Sequence, residues 1–304
     1  GLGDVYKRQI VQFASAQLSS TAFINWKKRP ELATQLFSAA QLICAVDDEQ
    51  RHRFEQLCQP DVASLLDIGP EKKPDIRIVG SLKLNALSAP VDKTFADQLR
   101  VAAGSRPILL AASTHSPEEQ ILLKASQEVV RAGYPHLLII APRHSDRSQD
   151  IARLMPQAAH RSKNQLPLLG DNHFLADSFG EMSSLVTAAD IVILGGSFVA
   201  KGGHNPLEIA ALSTPLITGP SQFKNKVEFD TLQQYGQCIT VKDGAVLVKQ
   251  LIIWLEALRT DGRAIPQDNL DKACAYVKQA CERPTKTARL IIDRLPTQHH
   301  PNQN

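Results

Sequence analysis

The sequence has few cysteines, and none of them belongs to a pair spaced for metal binding or redox chemistry. The five cysteines among its 304 residues are scattered and include no Cys-x-x-Cys pair. Such an odd, scattered set is typical of reduced thiols in a cytosolic protein and argues against a disulfide framework or a zinc cluster. No other group of residues has metal-ligand spacing, so we predict no metal site.

Long apolar runs and the common nucleotide signatures are also missing. No apolar stretch approaches the roughly 20 residues that a membrane-spanning helix needs, and no secretory signal is visible. The absence of a G-x-G-x-x-G or Walker sequence counts against NAD- and ATP-dependent enzymes. A net charge of +3 suits an anionic small molecule or an acidic membrane surface but is too small to indicate a nucleic-acid partner.

The sequence does contain a repeated alternation of apolar strands and helices, which predicts an α/β protein with doubly wound parallel sheets. Its length allows two domains. We assign residues 1–88 to an incomplete first domain, because it has too few strands, and residues 89–298 to a complete Rossmann-like domain. The predicted strands are 10–14, 42–46, 75–79, 109–112, 137–141, 191–194, 215–218 and 238–241.

A glycine-rich loop after the predicted strand 191–194 is the most informative segment. A strand, a glycine-rich loop and a helix in succession present backbone N–H groups to an anion in many α/β proteins. This loop also carries Lys201 and His204 on either side of Gly202 and Gly203, and both side chains suit a phosphate or a carboxylate. The functional interpretation is an anion site, and the alternative is that the glycines only turn the chain.

The helix after this loop has a marked start. Asn205 is a favoured N-cap, Pro206 suits the first helical position, and Glu208 stands where a capping box needs its acid. Two interpretations of Glu208 stay open at this point. It either caps its own helix or accepts the two ribose hydroxyls of a nucleotide whose phosphate the loop holds.

Three further loops, 113–115, 142–144 and 177–181, carry polar or basic groups where a predicted strand ends. Because ligands of such sheets bind beyond the carboxyl ends of the strands, we expect all four loops to meet. Arg143 offers a fork of donors matched to phosphate, although it could instead form a surface ion pair.

Three of the other side chains in these loops also have two interpretations. His115 and His144 are either anion donors or exposed turn residues. Ser178 has capping-box spacing to Glu181, so the backbone of Glu181 is a better candidate contact than its carboxylate. Ser113 and His115 form no nucleophile elbow, so a hydrolase triad is unsupported.

Several of these segments together resemble one family, the lipid A 3-deoxy-D-manno-octulosonic acid (Kdo) transferases. The resemblance is carried by residues 112–115 with Glu118 and Glu119, by 138–144, by 177–181 and by 195–208. Residues 16–19 and 80–83 match weaker segments, so the likeness runs from about residue 10 to the C-terminal helices.

The resemblance implies a metal-independent, inverting GT-B glycosyltransferase that needs no cofactor. It would transfer Kdo from CMP-Kdo to a lipid A precursor at the cytoplasmic face of the inner membrane. CMP contacts carried over by motif match are Pro142, Arg143, Phe179, Gly180, Glu181, Asn205, Pro206, Leu207 and Glu208. Further contacts predicted from the loops themselves are Ser113, His115, Lys201, Gly202, Gly203 and His204.

The sequence departs from the family in two places. The glutamate regarded as the general base belongs to a segment upstream of residue 1, so we assign no catalytic base and expect this chain alone to be inactive, with Arg143 supporting catalysis. After Gly219 and Pro220, Ser221 and Lys224 stand where the family has a histidine and an asparagine. Two alternatives remain: a GT-B enzyme that uses a uridine nucleotide, and a catalytically silent nucleotide-binding fragment.

Overall fold

The structure, a computed structural model, describes residues 10–58, 73–82 and 90–295. The chain divides into two compact units, one formed by residues 1–84 with 279–304 and the other by residues 85–278. Sequence analysis places the domain boundary between residues 88 and 89 and the end of the second domain at 298, and both positions lie outside the described residues.

The first unit contains a parallel sheet in which the three described strands have the order β1-β2-β3. Its described elements are β1 Val11–Ala16, α1 Ser20–Lys27, α2 Pro30–Ser38, β2 Ala40–Ala45, α3 Asp48–Leu57, β3 Asp75–Ile78 and, from the end of the chain, α12 Arg283–Ile292.

The core of the first unit is built around Phe37, whose ring lies between 5.3 and 5.9 Å from those of Phe13, Trp26 and Phe54. The helix α3 follows the turn after β2, and Asp47 caps it by accepting a hydrogen bond from the N–H of Gln50 at 2.7 Å.

The second unit carries the segments that sequence analysis singled out. Its elements are α4 Lys93–Ala103, β4 Ile108–Thr114, α5 Glu118–Arg131, β5 Leu137–Pro142, α6 Ser148–Leu154, β6 Ala159–His160, β7 His173–Leu175, α7 Met182–Ala188, β8 Ile191–Leu194, α8 Leu207–Ala211, β9 Leu216–Thr218, α9 Lys226–Gln234, β10 Cys238–Thr240, α10 Gly244–Asp261 and α11 Gln267–Cys281, of which residues to 278 belong here.

The described strands of the second unit form one parallel sheet in the order β10-β9-β8-β4-β5-β7-β6. The chain starts at the central strand β4, builds outward to β7 on one side, and then crosses back to place β8 on the other side. This is the order of a doubly wound Rossmann sheet with β6 added at its edge, and the reversal between β4 and β8 is its switch point. The predicted α/β class with a parallel sheet is confirmed.

The central strands are buried on both faces, because helices cover the sheet on each side. Ile108 to Ala112 and Leu137 to Ala141 are at most 3% exposed. The apolar stripes of α5 and α10 pack together in the same core, with Leu122 and Val129 on one helix and Leu251 and Trp254 on the other. The sheet therefore holds the ends of its strands, and the loops that follow them, on a rigid support.

Candidate functional site

Loops from neighbouring strands meet at the carboxyl edge of the second sheet. The strands β5, β4, β8 and β9 are adjacent and parallel, so the loops after them leave the sheet at one edge. Backbone bonds tie them together: the N–H of Arg143 donates to the carbonyl of Thr114 at 3.0 Å, and that of Ser221 donates to the carbonyl of Ser197 at 2.9 Å. Three of the four loops predicted to meet, those after β4, β5 and β8, therefore lie together, and the loop after β9 joins them; the fourth predicted loop, 177–181, follows β7.

A buried carboxylate, Glu118, lies under the glycine loop. Its Oε2 accepts the N–H groups of His115 and Gly196, each at 2.8 Å, and its Oε1 accepts those of Ser197 at 3.1 Å and Phe198 at 2.9 Å. Glu118 is 0% exposed. The protein therefore supplies its own anion to a set of amides that could otherwise hold a phosphate.

The other amides of this loop are also paired. The N–H of Gly202 donates to Ser221 Oγ at 3.0 Å, and that of Gly203 donates to the carbonyl of Gly196 at 2.9 Å. The interpretation that the glycine-loop amides cradle a ligand anion is therefore wrong for Gly196, Ser197, Phe198, Gly202 and Gly203, because each of these amides already has a protein acceptor.

Gly195 is required because β4 passes too close for any side chain. A Cβ atom on Gly195 would lie 2.4 Å from the carbonyl oxygen of Ser113 and 2.7 Å from Thr114 Cα. We predict that Gly195→Ala lowers the free energy of unfolding by about 3 kcal/mol, because backbone must shift to make room. Chemical denaturation measures this. Gly244→Ala, where the new methyl group meets only a side-chain methyl of Ile121 at 3.2 Å, is the control and should cause no loss.

Two histidines form a bridge across the switch point. Nε2 of His115, in the loop after β4, lies 2.9 Å from Nε2 of His204, at the end of the glycine loop, and the ring planes differ by 8°. The ring of His144, after β5, stands edge-on to His115 with centroids 5.7 Å apart. Three of the loops thus contribute an imidazole to one place.

Positive charge surrounds these rings. Burial is the largest of the effects that lower the pKa of His204 to about 4. The nearby charges add to it, in the order His115, Arg143, Lys224 and His144. The pKa of His115 is lowered by burial and by His144, Lys201 and Arg147, while Glu119 opposes the change. The side chains predicted as anion ligands therefore lie in a region whose electrostatic potential favours an anion.

Glu208 lies in the first turn of α8 within range of Arg143. Burial raises the pKa of this carboxyl, and the positive charge of Arg143 opposes the rise. The predicted capping box does not form: α8 begins at Leu207, and Asn205 Oδ1 accepts the N–H of Leu207 at 3.1 Å. Pro206 therefore precedes the helix, and among the hydrogen bonds of the described residues none caps the helix through Glu208, so this carboxylate is available to a ligand.

A buried ion pair holds the loop after β5. Arg147 donates to both carboxylate oxygens of Glu119 at 2.9 Å, and Thr114 Oγ1 donates to Glu119 Oε1 at 2.7 Å. Burial raises the pKa of Glu119, but these two donors outweigh it and lower the pKa below its ordinary value. Glu119 therefore fixes the segment that carries Arg143 and His144.

The loop at 177–181 is held by a separate set of contacts. Arg161 donates to Glu181 at 2.6 and 2.9 Å, and Ser178 Oγ also donates to this carboxylate. Burial raises the pKa of Glu181, but the bonds from Arg161 and Ser178 lower it overall. Gly180 has a φ of +83°, and Phe179 is 73% exposed. The carboxylate of Glu181 is thus already paired, and contact between a ligand and the backbone of this residue stays a prediction.

The structure thus places the predicted residues in two groups. His115, Arg143, Lys201 and His204 lie in the loops after β4, β5 and β8, which are linked by direct contacts. Ser113 lies near the end of β4, and Glu208 lies in the first turn of α8. Phe179, Gly180 and Glu181 follow β7, the next strand along the same edge. Sequence analysis assigns no role to Glu118 or Arg147. It leaves the roles of Ser221 and Lys224 open. The sequence signal that could have found them is their position, three to six residues beyond the end of a strand.

No family model matches this chain. A curated relative, the 3-deoxy-D-manno-octulosonic acid transferase of Haemophilus influenzae, is 34% identical over 247 residues, which is 79% of this chain and 54% of that protein. The transferase of the same name from Rickettsia conorii is 27% identical over 80% of this chain and 50% of its own length. The chain spans about half the length of the curated relatives it matches.

Among solved structures, the C-terminal CMP-Kdo binding domain of WaaA from Acinetobacter baumannii is 26% identical. The match covers 61% of this chain and 98% of that domain, with a TM-score of 0.53. The chain belongs to the 3-deoxy-D-manno-octulosonic acid transferase family.

Other solved structures are similar to this chain in fold alone. Anabaena HepE in complex with UDP is 14% identical, covering 96% of this chain and 74% of HepE, with a TM-score of 0.52. The predicted GT-B fold class is confirmed.

Among the described residues, no group of three or more His, Cys, Asp or Glu side chains is arranged to hold a metal ion. No helix in the described part of the chain combines the length and apolar character that crossing a bilayer requires.

Proposed function

We propose that this chain carries the CMP-Kdo site of a glycosyltransferase that moves Kdo from CMP-Kdo to a lipid A precursor in lipopolysaccharide biosynthesis. The 34% identity to a Kdo transferase and the likeness to a CMP-Kdo binding domain support the donor. The observation that carries the proposal is the basic cluster at the switch point, formed by His115, Arg143, Lys201, His204 and Lys224.

The chemistry of the site follows from where negative charge appears. In the proposed reaction a hydroxyl oxygen of the acceptor bonds to the anomeric carbon of Kdo and gives its proton to a general base, to which we assign no residue of this chain. The bond from that carbon to the CMP phosphate breaks, and its electron pair goes to the phosphate. In this proposal Arg143 and the histidines stabilise the departing phosphate, as preorganised donors do in other enzymes. Glu208 accepts the ribose hydroxyls in this proposal.

We propose that transfer needs neither a metal ion nor a cofactor and takes place at the cytoplasmic face of the inner membrane. Lipid A recognition and membrane association are assigned to the full-length protein, because the family resemblance assigns the acceptor to the first domain. A nucleic-acid partner is not part of the proposal.

The choice of nucleotide tests the donor assignment. We expect calorimetry with the 304-residue chain to show CMP binding at least tenfold more tightly than UMP or UDP. Arg131→Ala, which removes an exposed charge from the far end of α5, should leave this preference unchanged. A clear preference for UDP would overturn the assignment and favour the uridine-nucleotide alternative.

A further inference from the structure

The His115–His204 bridge constrains where protons can be. A hydrogen bond between two imidazole nitrogens needs one N–H donor and one bare acceptor, so the 2.9 Å contact between the Nε2 atoms leaves at least one ring neutral. The pair can still accept one further proton at an Nδ1 atom without losing this bond. A second added proton would put two N–H groups face to face and break it.

The bridge is part of the built structure of the site. Both rings rest on Gly196, where a Cβ atom would lie 3.2 Å from His204 Nε2 and 3.5 Å from His115 Cδ2. Gly196 is itself fixed by its N–H bond to Glu118 and has a φ of +68°. The rings are therefore held in position by the two loops that flank the switch point.

The charged groups facing the bridge come from every surrounding loop. The positive ones are Arg143, His144, Arg147, Lys201 and Lys224. Among the acids of the described residues, Glu119 is paired with Arg147, Glu118 accepts four backbone N–H groups, and Glu208 lies within range of Arg143. Positive charge dominates, so an extra proton on the bridge is unfavourable until an anion arrives.

We infer that the His115–His204 pair takes up one proton when a phosphate group binds at this site, and that the resulting cation is itself a ligand of the phosphate. This inference rests on the proposed function, which makes CMP the natural phosphate ligand. Two negative charges a few ångströms away offset the repulsion from the surrounding cations, and the attraction between unlike charges is strong where water is scarce.

The pH dependence follows with a definite sign. Without ligand both rings are neutral at pH 7, since their pKa values are lowered, that of His204 to about 4. A bound phosphate raises these values, so CMP binding takes up protons and becomes tighter as pH falls from 8 towards 7. CMP itself is mostly a dianion above pH 7, so the pair is the main source of this effect.

Calorimetry at pH 7 in buffers of different ionisation enthalpy measures the proton count. We expect about half a proton to be taken up per CMP bound by the unmodified chain. The uptake should fall to near zero in His204→Gln and in His115→Gln. It should persist in His52→Gln, which alters an exposed histidine of the first unit. Zero uptake in the unmodified chain, or equal uptake in all variants, would overturn the inference.

NMR titration of the histidine rings separates this inference from the proposed function. Sulfate, a dianion that does not titrate between pH 6 and 8, should raise the midpoint at which the His115–His204 pair takes up its one proton to about pH 7, as CMP should. If CMP does not bind but sulfate shifts the midpoints, the donor assignment fails and the inference stands. If CMP binds and neither anion shifts them, the inference fails alone.

Discussion

Replacing Glu118 with alanine should lower the free energy of unfolding of the second unit by about 4 kcal/mol. The carboxylate accepts four backbone N–H groups in a fully buried setting, and each one left without an acceptor costs about 1–3 kcal/mol. The expected total lies at the low end of the simple sum, since water enters part of the space and the loop relaxes. Glu118→Gln should cost less, because its one carbonyl oxygen still accepts N–H groups, although its amide group leaves the remaining donors without an acceptor.

The measurement can be made specific to this unit. Trp254 lies in its core at 3% exposure, so tryptophan fluorescence reports its unfolding once Trp26, in the other unit, is replaced with phenylalanine. Glu128→Ala on the same helix is the matched control and should change stability by less than about 0.5 kcal/mol. Hydrogen exchange at Gly196 and Ser197 gives an independent test. Unchanged protection of these amides in Glu118→Ala would show that the carboxylate does not hold the loop.

Sequence analysis predicted the elements whose residues give a strong pattern. Residues 191–194 form β8 as predicted, and 137–141 lie within β5, because a continuous apolar run bounded by polar residues suits a strand buried on both faces. Asp47 marks the start of α3 because its side chain has a local acceptor role that is independent of tertiary structure.

Elements with a weak local pattern were missed. Sequence analysis predicts no element at Ser20–Lys27, which is a helix, capped by Ser19, in which no residue is buried. Without a buried face it has no apolar periodicity to detect. The strands β6 and β7 contain two and three residues, and each includes a histidine, so neither shows the continuous apolar run that marks β8.

In the site, the sequence predicts which loops meet but not which hydrogen-bond donors already have partners. The β-then-α order was sufficient to predict which loops share an edge, because parallel strands end on the same side. It was not sufficient to show which donors are already used. Glu118 binds amides 78 to 80 residues further along the chain, and His115 contacts a histidine 89 residues away. These partners are set by tertiary packing. The sequence therefore predicts a ligand anion at the glycine-loop amides, where the structure has the carboxylate of Glu118.

Because the loop amides are occupied, side chains must provide most of the phosphate binding, and Arg143 should then be the largest contributor. Its guanidinium makes no ion pair or side-chain hydrogen bond within the described residues, and its charge reaches both His204 and Glu208. A hydrogen bond to a charged group contributes about 2 kcal/mol, so Arg143→Ala should weaken CMP binding about 30-fold. In the proposed full-length transferase, removal of this donor should slow transfer about a hundredfold.

The pattern across ligands and variants distinguishes a phosphate ligand from a general structural role. Cytidine, which lacks the phosphate, should bind the Arg143→Ala protein as well as it binds the unmodified chain. Arg143→Lys keeps the charge but loses the planar fork, so its CMP affinity should lie between the two. Arg131→Ala controls for the loss of one positive charge. If calorimetry gives Arg143→Ala a CMP affinity within twofold of the original, the phosphate does not bind at this end of the sheet.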